Sequence, residues 1–199
     1  MDADAADRAA RWAGVQPWRR AFHACNSLVL AFLPRLLGAG RWTVVGVMGA
    51  LFALLLAFDL ARLRTSRINE LFFRMFPSLV SSRERTGIAS STWYALGGLL
   101  VYALFPVAIV VPALLVLGFA DPAASVAGRL WGKRRLGKGT VLGSAVFYAV
   151  AFAIMATAVG PARAALAALI VTCIEVYPAA FDDNLTVPLA AAAALAVVA

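Results

Sequence analysis

Long apolar runs occupy most of this chain, and they constrain its fold more than any other feature. Crossing a hydrocarbon core takes about 20 mostly apolar helical residues, and helices satisfy their own backbone polar groups there. Seven apolar segments lie at about residues 21–38, 42–61, 92–106, 107–120, 141–160, 164–180 and 185–199. We therefore expect an all-α, polytopic transmembrane bundle with about seven spans, in which residues 92–120 form either two spans or one helix kinked at Pro106.

Composition supports the same fold class. Hydrophobic residues make up 63% of the chain, against about half in soluble domains. We expect one transmembrane domain over residues 21–199, preceded by an interfacial amphipathic segment over residues 1–20 that carries Trp and Arg for the headgroup layer. That segment lacks the pattern of a cleaved signal peptide. Cys25 and Cys173 lie inside apolar runs, which favours packing over a disulfide or a metal site.

Basic residues are distributed unequally between the two sides of this bundle. With the N-terminus in the cytoplasm, four fall in the N-terminal segment, six in the second loop and five in residues 121–144, which places 15 of the 18 on one side. Only Arg35, Arg41 and Arg163 fall on the other side. This is a positive-inside pattern, so the net charge of +8 indicates cytoplasmic loops and anionic lipid rather than nucleic acid. The preference for Arg over Lys indicates a GC-rich genome and a prokaryotic plasma membrane.

Acidic residues gather on that same side. Beyond the N-terminal tail all seven map near the cytoplasmic ends of segments, namely Asp59, Glu70, Glu84, Asp121, Glu175, Asp182 and Asp183. Carboxylates at membrane depth are costly and are commonly functional. One alternative is that the acids only accompany basic loops. It does not explain Asp59 and Glu175, because both lie within apolar runs. One cytoplasmic-side site follows from this distribution.

The stretch from Asp121 to Ser144 concentrates the residue types that phosphate chemistry needs. It combines a carboxylate at the edge of an apolar segment with five cations, and its small residues let backbone N–H groups approach a ligand. The alternative is a solvated basic loop. The residues that we expect to contact a nucleotide, two of them outside this stretch, are Arg83, Arg129, Gly132, Lys133, Lys138, Gly139, Thr140, Gly143, Ser144 and Asn184.

A second polar group follows the sixth apolar segment. Asp182, Asp183 and Asn184 supply hard oxygen ligands, and the two aspartates together with Asp121 are the metal ligands that we expect for Mg²⁺. The alternative is a polar turn in which Asn184 or Asp183 caps the last helix. Glu175, upstream in an apolar helix, favours a functional site.

Two further groups have open interpretations. His23 follows an Arg pair at the entrance of the first helix, and a lone His is structural more often than catalytic. Asp59 and Arg62 have the spacing of a helical ion pair, so Asp59 is either a structural or a catalytic residue. The stretch 68–76 after them has the pattern of an interfacial helix.

These residues together resemble the CTP-dependent lipid-alcohol kinases. The family includes dolichol kinase, phytol (polyprenol) kinase and CTP-dependent diacylglycerol kinase, and it is related to the phosphatidate cytidylyltransferases. The resemblance spans nearly the whole chain, in blocks that read RRAFH at 19–23, FDLARLR at 58–64, INELF at 68–72, RERTGIASSTWYALG at 83–97, FADPAASVAGRLWGKRRLGKGTVLGS at 119–144, IEV at 174–176 and DDNLTVPL at 182–189. The chain departs from the family pattern where Lys138 is displaced by one position and Leu142 replaces Glu.

The resemblance implies transfer of the γ-phosphoryl group of CTP to the hydroxyl of a membrane lipid alcohol, with Mg²⁺. Asp121, Asp182 and Asp183 are expected to bind the metal or activate the hydroxyl, and Arg129, Lys133 and Lys138 to hold phosphates. Glu175, Asp59 and His23 are the candidates for a base or for orienting one. The alternatives are a cytidylyltransferase that forms a CDP-activated lipid and a small membrane transporter. The sequence names neither the lipid nor the oligomeric state, so a homo-oligomer stays open.

Overall fold

The structure is a computed structural model that describes residue 12, residues 15–177 and residues 181–199. The described residues form eight helices, with one turn of 3₁₀-helix at Ser82–Arg85 and a two-stranded hairpin. The helices are α1 Pro17–Leu36, α2 Arg41–Arg64, α3 Ser66–Met75, α4 Ser90–Leu104, α5 Val107–Trp131, α6 Val141–Val159, α7 Pro161–Val176 and α8 Asp183–Val198. In the hairpin, β1 (Arg135–Leu136) pairs antiparallel with β2 (Gly139–Thr140). Most of the expected interfacial segment 1–20 lies outside the described residues.

The expectation of an all-helical fold is confirmed. Three helices, α2, α5 and α6, are long and apolar enough to cross a membrane, and α8 is a shorter apolar helix. The chain therefore has the features of a membrane protein. Seven spans and a cytoplasmic N-terminus stay predictions.

Pro106 separates two helices, so residues 92–120 do not form one kinked helix. α4 ends at Leu104, and Phe105 is extended, with φ −120° and ψ 152°. Proline disfavours helical geometry in the residue before it, which explains the break. α5 then starts after Pro106 and becomes the central helix of the bundle, packed against α1, α4, α6 and α8.

The polar residues between the apolar segments expected at 107–120 and 141–160 do not form one long loop. α5 continues to Trp131 and α6 begins at Val141, so residues 132–140 alone connect them. Hydropathy ends the segment at Asp121, but Ala124 and Ala127 on the next turns are buried in the bundle. Packing of this small apolar face stabilises a helix that composition assigned to a loop.

α5 contains a widened, π-helical segment at Val116–Ala120, directly before Asp121. Pro122 accounts for its position, because a proline has no N–H to donate and its ring clashes with the carbonyl four residues earlier, at Gly118. Gly118 also faces α1 at close range, since a Cβ there would lie 2.4 Å from Cβ of Ser27. This segment sets the direction in which the side chain of Asp121 projects from α5.

The helices alternate in direction, which gives the bundle two chemically different ends. We call one end the mouth: α1, α4, α6 and α8 begin there, and α2 and α7 end there. At the other end, which we call the far end, α1 finishes with Arg35 in its last turn. Arg41 starts α2 at the far end and donates a 2.6 Å hydrogen bond to the carbonyl oxygen of Tyr102. Arg163, also at the far end, donates to the Ala199 carbonyl at 3.0 Å.

Candidate functional site

The mouth is where the structure places the acidic residues that the sequence singled out. Asp59 lies near the end of α2 and Glu175 in the last turn of α7. Asp182 is the N-cap of α8, Asp183 is its first residue, and Asp121 lies on α5 beyond the π-helical segment. Glu84 lies in the 3₁₀ turn, and Glu70 is exposed on α3. Apart from Glu70, these carboxylates belong to three groups of contacts.

Lys138 is the centre of the first group. Its Nζ makes an ion pair with Asp183 and lies 3.7 Å from Oε1 of Glu175. Its backbone N–H donates a 3.1 Å hydrogen bond to the carbonyl oxygen of Val176. The hairpin is therefore docked on the end of α7 and carries its ammonium group between two carboxylates from different helices.

The docking depends on Gly137. Its φ is +53°, a conformation that residues with a Cβ rarely adopt. A Cβ at this position would lie 2.0 Å from the Val176 carbonyl oxygen, inside the van der Waals contact distance. Glycine at 137 therefore allows both the turn and the approach to α7.

Asp121 adjoins the Lys138 group. The charges of Asp183, Arg20, Glu175 and Lys138 all act on its carboxyl group, so these side chains lie within one electrostatic neighbourhood. Arg20 in α1 donates hydrogen bonds to Oγ of Ser125, at 2.6 Å, and to the carbonyl oxygen of Val15. None of the described residues donates a hydrogen bond to Asp121, which leaves its carboxylate oxygens available for a ligand.

The second group joins α1, α4 and α8. Nη2 of Arg19 lies 3.3 Å from Oε1 of Glu84 and donates to Oγ of Ser90 at 2.7 Å. The Ser90 hydroxyl is 3.1 Å from Glu84 Oε1 and 3.4 Å from Asp182 Oδ2, so its single proton serves one of these carboxylates at a time. Asn184 also belongs here, because its Nδ2 donates to the Ser90 carbonyl at 3.2 Å.

Asp182 acts as the N-cap of α8 within this group. Its Oδ1 accepts a 3.0 Å hydrogen bond from the backbone N–H of Asn184. The last helix is therefore capped, but by Asp182 and not by Asn184 or Asp183 as the capping interpretation expected. Burial raises the pKa of the Asp182 carboxyl above its ordinary value, and the neighbouring charges of Asp183 and Glu84 act in the same direction. The cap bond and Arg19 oppose that change only in part.

The third group is a buried ion pair. Asp59 and Arg62 are 1% and 0% exposed, and Nε of Arg62 donates to Oδ1 of Asp59 at 2.6 Å. Oδ2 of Asp59 accepts from the N–H of Ala89 at 2.9 Å and from the Thr92 hydroxyl at 2.6 Å. Both oxygens of Asp59 are therefore used within the fold, which favours the structural interpretation over a catalytic one.

Arg62 completes this network by fixing the loop before α4. It donates to the Glu84 carbonyl at 2.6 Å, to the Gly87 carbonyl at 2.8 Å and to the Asn69 side chain at 2.9 Å. Since Glu84 also pairs with Arg19, the second and third groups share one loop.

His23 remains separate from the carboxylates. Its Nε2 is buried and has no hydrogen-bond partner among the described residues. Its ring meets Tyr94 edge-on, with 5.4 Å between the ring centroids. This position favours packing between α1 and α4, the structural alternative for a lone histidine.

The residues expected to hold phosphates differ in their exposure. Arg83, Arg129 and Lys133 have exposed side chains around the mouth, where a ligand could recruit them. Ser144, in contrast, is buried in α6. Gly139 lies in the second strand of the hairpin.

The idea that the glycines expose backbone N–H groups is wrong for two of them. The N–H of Gly132 donates to Gly128 O at 3.1 Å, and that of Gly143 donates to Oγ1 of Thr140 at 3.1 Å. A Cβ on Gly132 would lie 2.4 Å from the same Thr140 oxygen. These small residues instead allow α5, the hairpin and α6 to pack closely.

Sequence reasoning missed Arg19, Arg20, Ser90 and Ser125 as members of the site. The available signal was a pair of arginines at the entrance of an apolar helix, where unpaired cations are costly. Ser125 lies four residues after Asp121 on the same helix, the spacing at which side chains share a face.

The carboxylates at the mouth do not fit an Mg²⁺ ion held by the protein alone, but they fit one that phosphate oxygens and water also coordinate. In the part of the chain that the structure describes, no three His, Cys, Asp or Glu residues are placed to hold a metal ion, so Asp121, Asp182 and Asp183 do not form a three-aspartate cage. Asp182 instead caps α8. Mg²⁺ commonly takes one or two carboxylates plus phosphate oxygens and water. Asp121 and Asp183 match that requirement for a metal that arrives with a nucleotide.

Comparison of the chain with protein-family models, curated proteins and solved structures finds no match. The interpretation of the site therefore depends on its geometry and its residues.

Proposed function

We propose that this protein is an integral-membrane kinase that transfers the γ-phosphoryl group of a nucleotide to the hydroxyl group of a membrane lipid alcohol. One observation carries the proposal. Lys138 joins Glu175 and Asp183 at the mouth, and their charges act on Asp121, which lies on a helix apolar enough to cross a membrane. Phosphoryl transfer requires mainly positioning and charge neutralisation, and these groups supply both.

The reaction needs a base, a phosphate clamp and an acceptor. The lipid hydroxyl oxygen attacks the γ-phosphorus, the bond from that phosphorus to the bridging oxygen breaks, and the nucleoside diphosphate leaves. The hydroxyl proton passes to a carboxylate, for which Asp121 and Glu175 are the candidates. Asp183 would hold Mg²⁺ with the phosphates, joined by Asp121 if Glu175 is the base, and the metal would supply positive charge against the phosphate oxygens.

Lys138 has two alternative partners in this proposal. Without nucleotide its ammonium group neutralises Asp183 and Glu175. Phosphate oxygens compete for the same group, so nucleotide binding frees the two carboxylates. The exposed Arg129, Lys133 and Arg83 add positive charge at the entrance.

The donor and the location come from the resemblance and the charge pattern. CTP is the expected donor, and a polyprenol, a phytol-like alcohol or diacylglycerol the expected acceptor. The positive-inside pattern supports a mouth that faces the cytoplasm, and the preference for Arg over Lys supports a prokaryotic plasma membrane.

A nucleotide-by-lipid matrix with the purified protein and Mg²⁺ tests the proposal. Labelled phosphate should pass to at least one alcohol, and release of the nucleoside diphosphate identifies a kinase. A CDP-lipid with pyrophosphate released would instead identify a cytidylyltransferase. No transfer from any nucleotide to polyprenols, phytol-like alcohols or diacylglycerol would contradict both.

The Asp121→Asn variant locates the chemistry. We expect it to lower turnover by about 100-fold or more, because loss of a positioned proton acceptor costs that much. Its unfolding temperature should stay near that of the parent. Arg163→Gln, at the far end, is the control and should retain full turnover.

A further inference from the structure

A groove runs along the outer side of the bundle between α1, α5 and α6 and ends beside the site. Its volume is about 580 Å³, within the range of about 300–1,000 Å³ usual for sites of small molecules. Among the described residues that line it, Arg20 alone is charged. Phe119 and Trp131, which lie along it, are 38% and 63% exposed, so the groove is open to the outside.

Small side chains keep this groove open. Ala21 and Ala24 line it from α1, and Ala123 and Ala127 line it from α5. Residues on α5 four positions apart, from Phe119 through Ala123 and Ala127 to Trp131, form one continuous stripe along it. At a rise of 1.5 Å per helical residue the stripe is about 18 Å long, and its side chains are apolar, as a surface for one hydrocarbon chain requires.

The polar end of the groove adjoins the acidic cluster. Pro122 lines the groove, and Asp121 directly precedes it in the chain. Arg20 lines the groove as well, donates a hydrogen bond to Ser125, and exerts its charge on Asp121. A molecule with an apolar chain and a single hydroxyl head therefore matches both parts of this surface.

We propose that the groove holds the hydrocarbon chain of the acceptor alcohol, with the hydroxyl directed past Arg20 toward Asp121. The identity of this occupant rests on the proposed function. An acceptor with one unbranched or isoprenoid chain fits a single groove, whereas two acyl chains need a second surface. This selects a polyprenol-like or phytol-like alcohol over diacylglycerol as the acceptor class.

A binding measurement tests the groove without turnover. Trp12, Trp18, Trp42 and Trp93 are replaced by Phe, so that Trp131 alone reports, and the protein is reconstituted in phosphatidylcholine brominated along its acyl chains. Bromine quenches Trp131 wherever lipid contacts it. Unbrominated phytol at a small mole fraction should restore fluorescence several-fold more than its dilution of the bromine explains.

Matched substitutions then locate the binding. Ala21 is exposed and lines the groove, whereas Ala53 is exposed on α2, away from it. We expect Ala21→Phe to abolish the recovery and Ala53→Phe to leave it intact. Ala123→Phe, which lies on the stripe of α5, should also abolish the recovery. The same result at two positions on different helices would exclude a local effect of one substitution. Recovery no greater than dilution, or equal recovery in all three variants, would overturn the proposal.

Activity separates failure of the groove from failure of the proposed function. If the parent transfers phosphate, Ala21→Phe and Ala123→Phe should raise KM for phytol about tenfold and leave kcat/KM for a short water-soluble alcohol unchanged. Equal KM for phytol in parent and variants would exclude the groove while the kinase stands. If the parent transfers no phosphate at all, the kinase proposal is contradicted. The fluorescence recovery would still decide whether the groove binds the alcohol.

Discussion

Two aspartates at the mouth, both candidates for a catalytic role from the sequence, have opposite surroundings. Asp59 is 1% exposed and accepts hydrogen bonds from Arg62, from the backbone of Ala89 and from Thr92. Asp121 accepts none from the described residues and instead experiences charges of both signs. Full hydrogen bonding indicates a structural carboxylate, and an available one indicates chemistry.

Replacing Asp59 by Asn should therefore destabilise the protein. Arg62 is fully buried, and loss of its counter-charge costs about 3–5 kcal/mol of unfolding free energy. Thermal unfolding in detergent measures the effect. In a double-mutant cycle with Arg62→Gln, the double variant should lose less than the sum of the two single losses. An unchanged unfolding temperature with lost turnover would instead assign Asp59 to catalysis.

Asp182 should make stability depend on pH. Because burial raises its pKa in the folded protein, the fold disfavours its charged form. That penalty is complete above the raised pKa and is relieved as pH falls through it toward the ordinary value. Asp182→Asn keeps the N-cap without the charge, so it should unfold at a higher temperature than the parent at neutral pH.

The advantage of Asp182→Asn should shrink as the solution is acidified, which thermal unfolding across a pH series measures. A difference that stays constant from neutral to acid pH would exclude titration of Asp182 as its cause.

At the scale of elements, the hairpin between α5 and α6 positions Lys138. Gly137→Ala should weaken the docking, since the left-handed conformation alone costs about 1–2 kcal/mol for a residue with a Cβ, and the Val176 carbonyl leaves no room for it. We expect a lower unfolding temperature and a higher KM for the nucleotide in steady-state assays.

Gly139→Ala is the matched control for the hairpin. The nearest atom to a Cβ there is Leu136 O at 3.9 Å, an ordinary contact. This variant should behave as the parent does. Equal losses in both variants would show that the hairpin tolerates no added methyl group and would remove the specific role of Gly137.

Sequence patterns predicted the elements better than the contacts between them. Apolar runs located the helices, because a helix needs apolar side chains both where it faces lipid and where it faces the interior of the bundle. They failed at residues 121–131, where Gly128 and Arg129 suggested a loop, although Ala124 and Ala127 pack against the bundle. Lys138 pairs with Asp183, 45 residues away, and no local pattern encodes such a partner.

At the scale of the whole molecule, the two ends differ in charge. In the described chain, acids and most cations lie at the mouth, whereas Arg35, Arg41 and Arg163 are at the far end. Reaction with a membrane-impermeant maleimide tests which end faces the cytoplasm. In a background with Cys25 and Cys173 replaced by Ser, the Lys133→Cys variant should react only from the cytoplasmic side and Arg163→Cys only from the opposite side. Reaction of both from one side would exclude the proposed orientation.

At the far end Arg41 donates to the neutral carbonyl groups of Tyr102 and Ala103, whereas helices at the mouth are joined by pairs of opposite charge. Dissolved electrolyte screens charge pairs and has little influence on bonds to neutral oxygens. A rise in ionic strength therefore loosens the molecule at one extremity first. The bundle would separate at the extremity that carries its carboxylates while the opposite extremity stays closed.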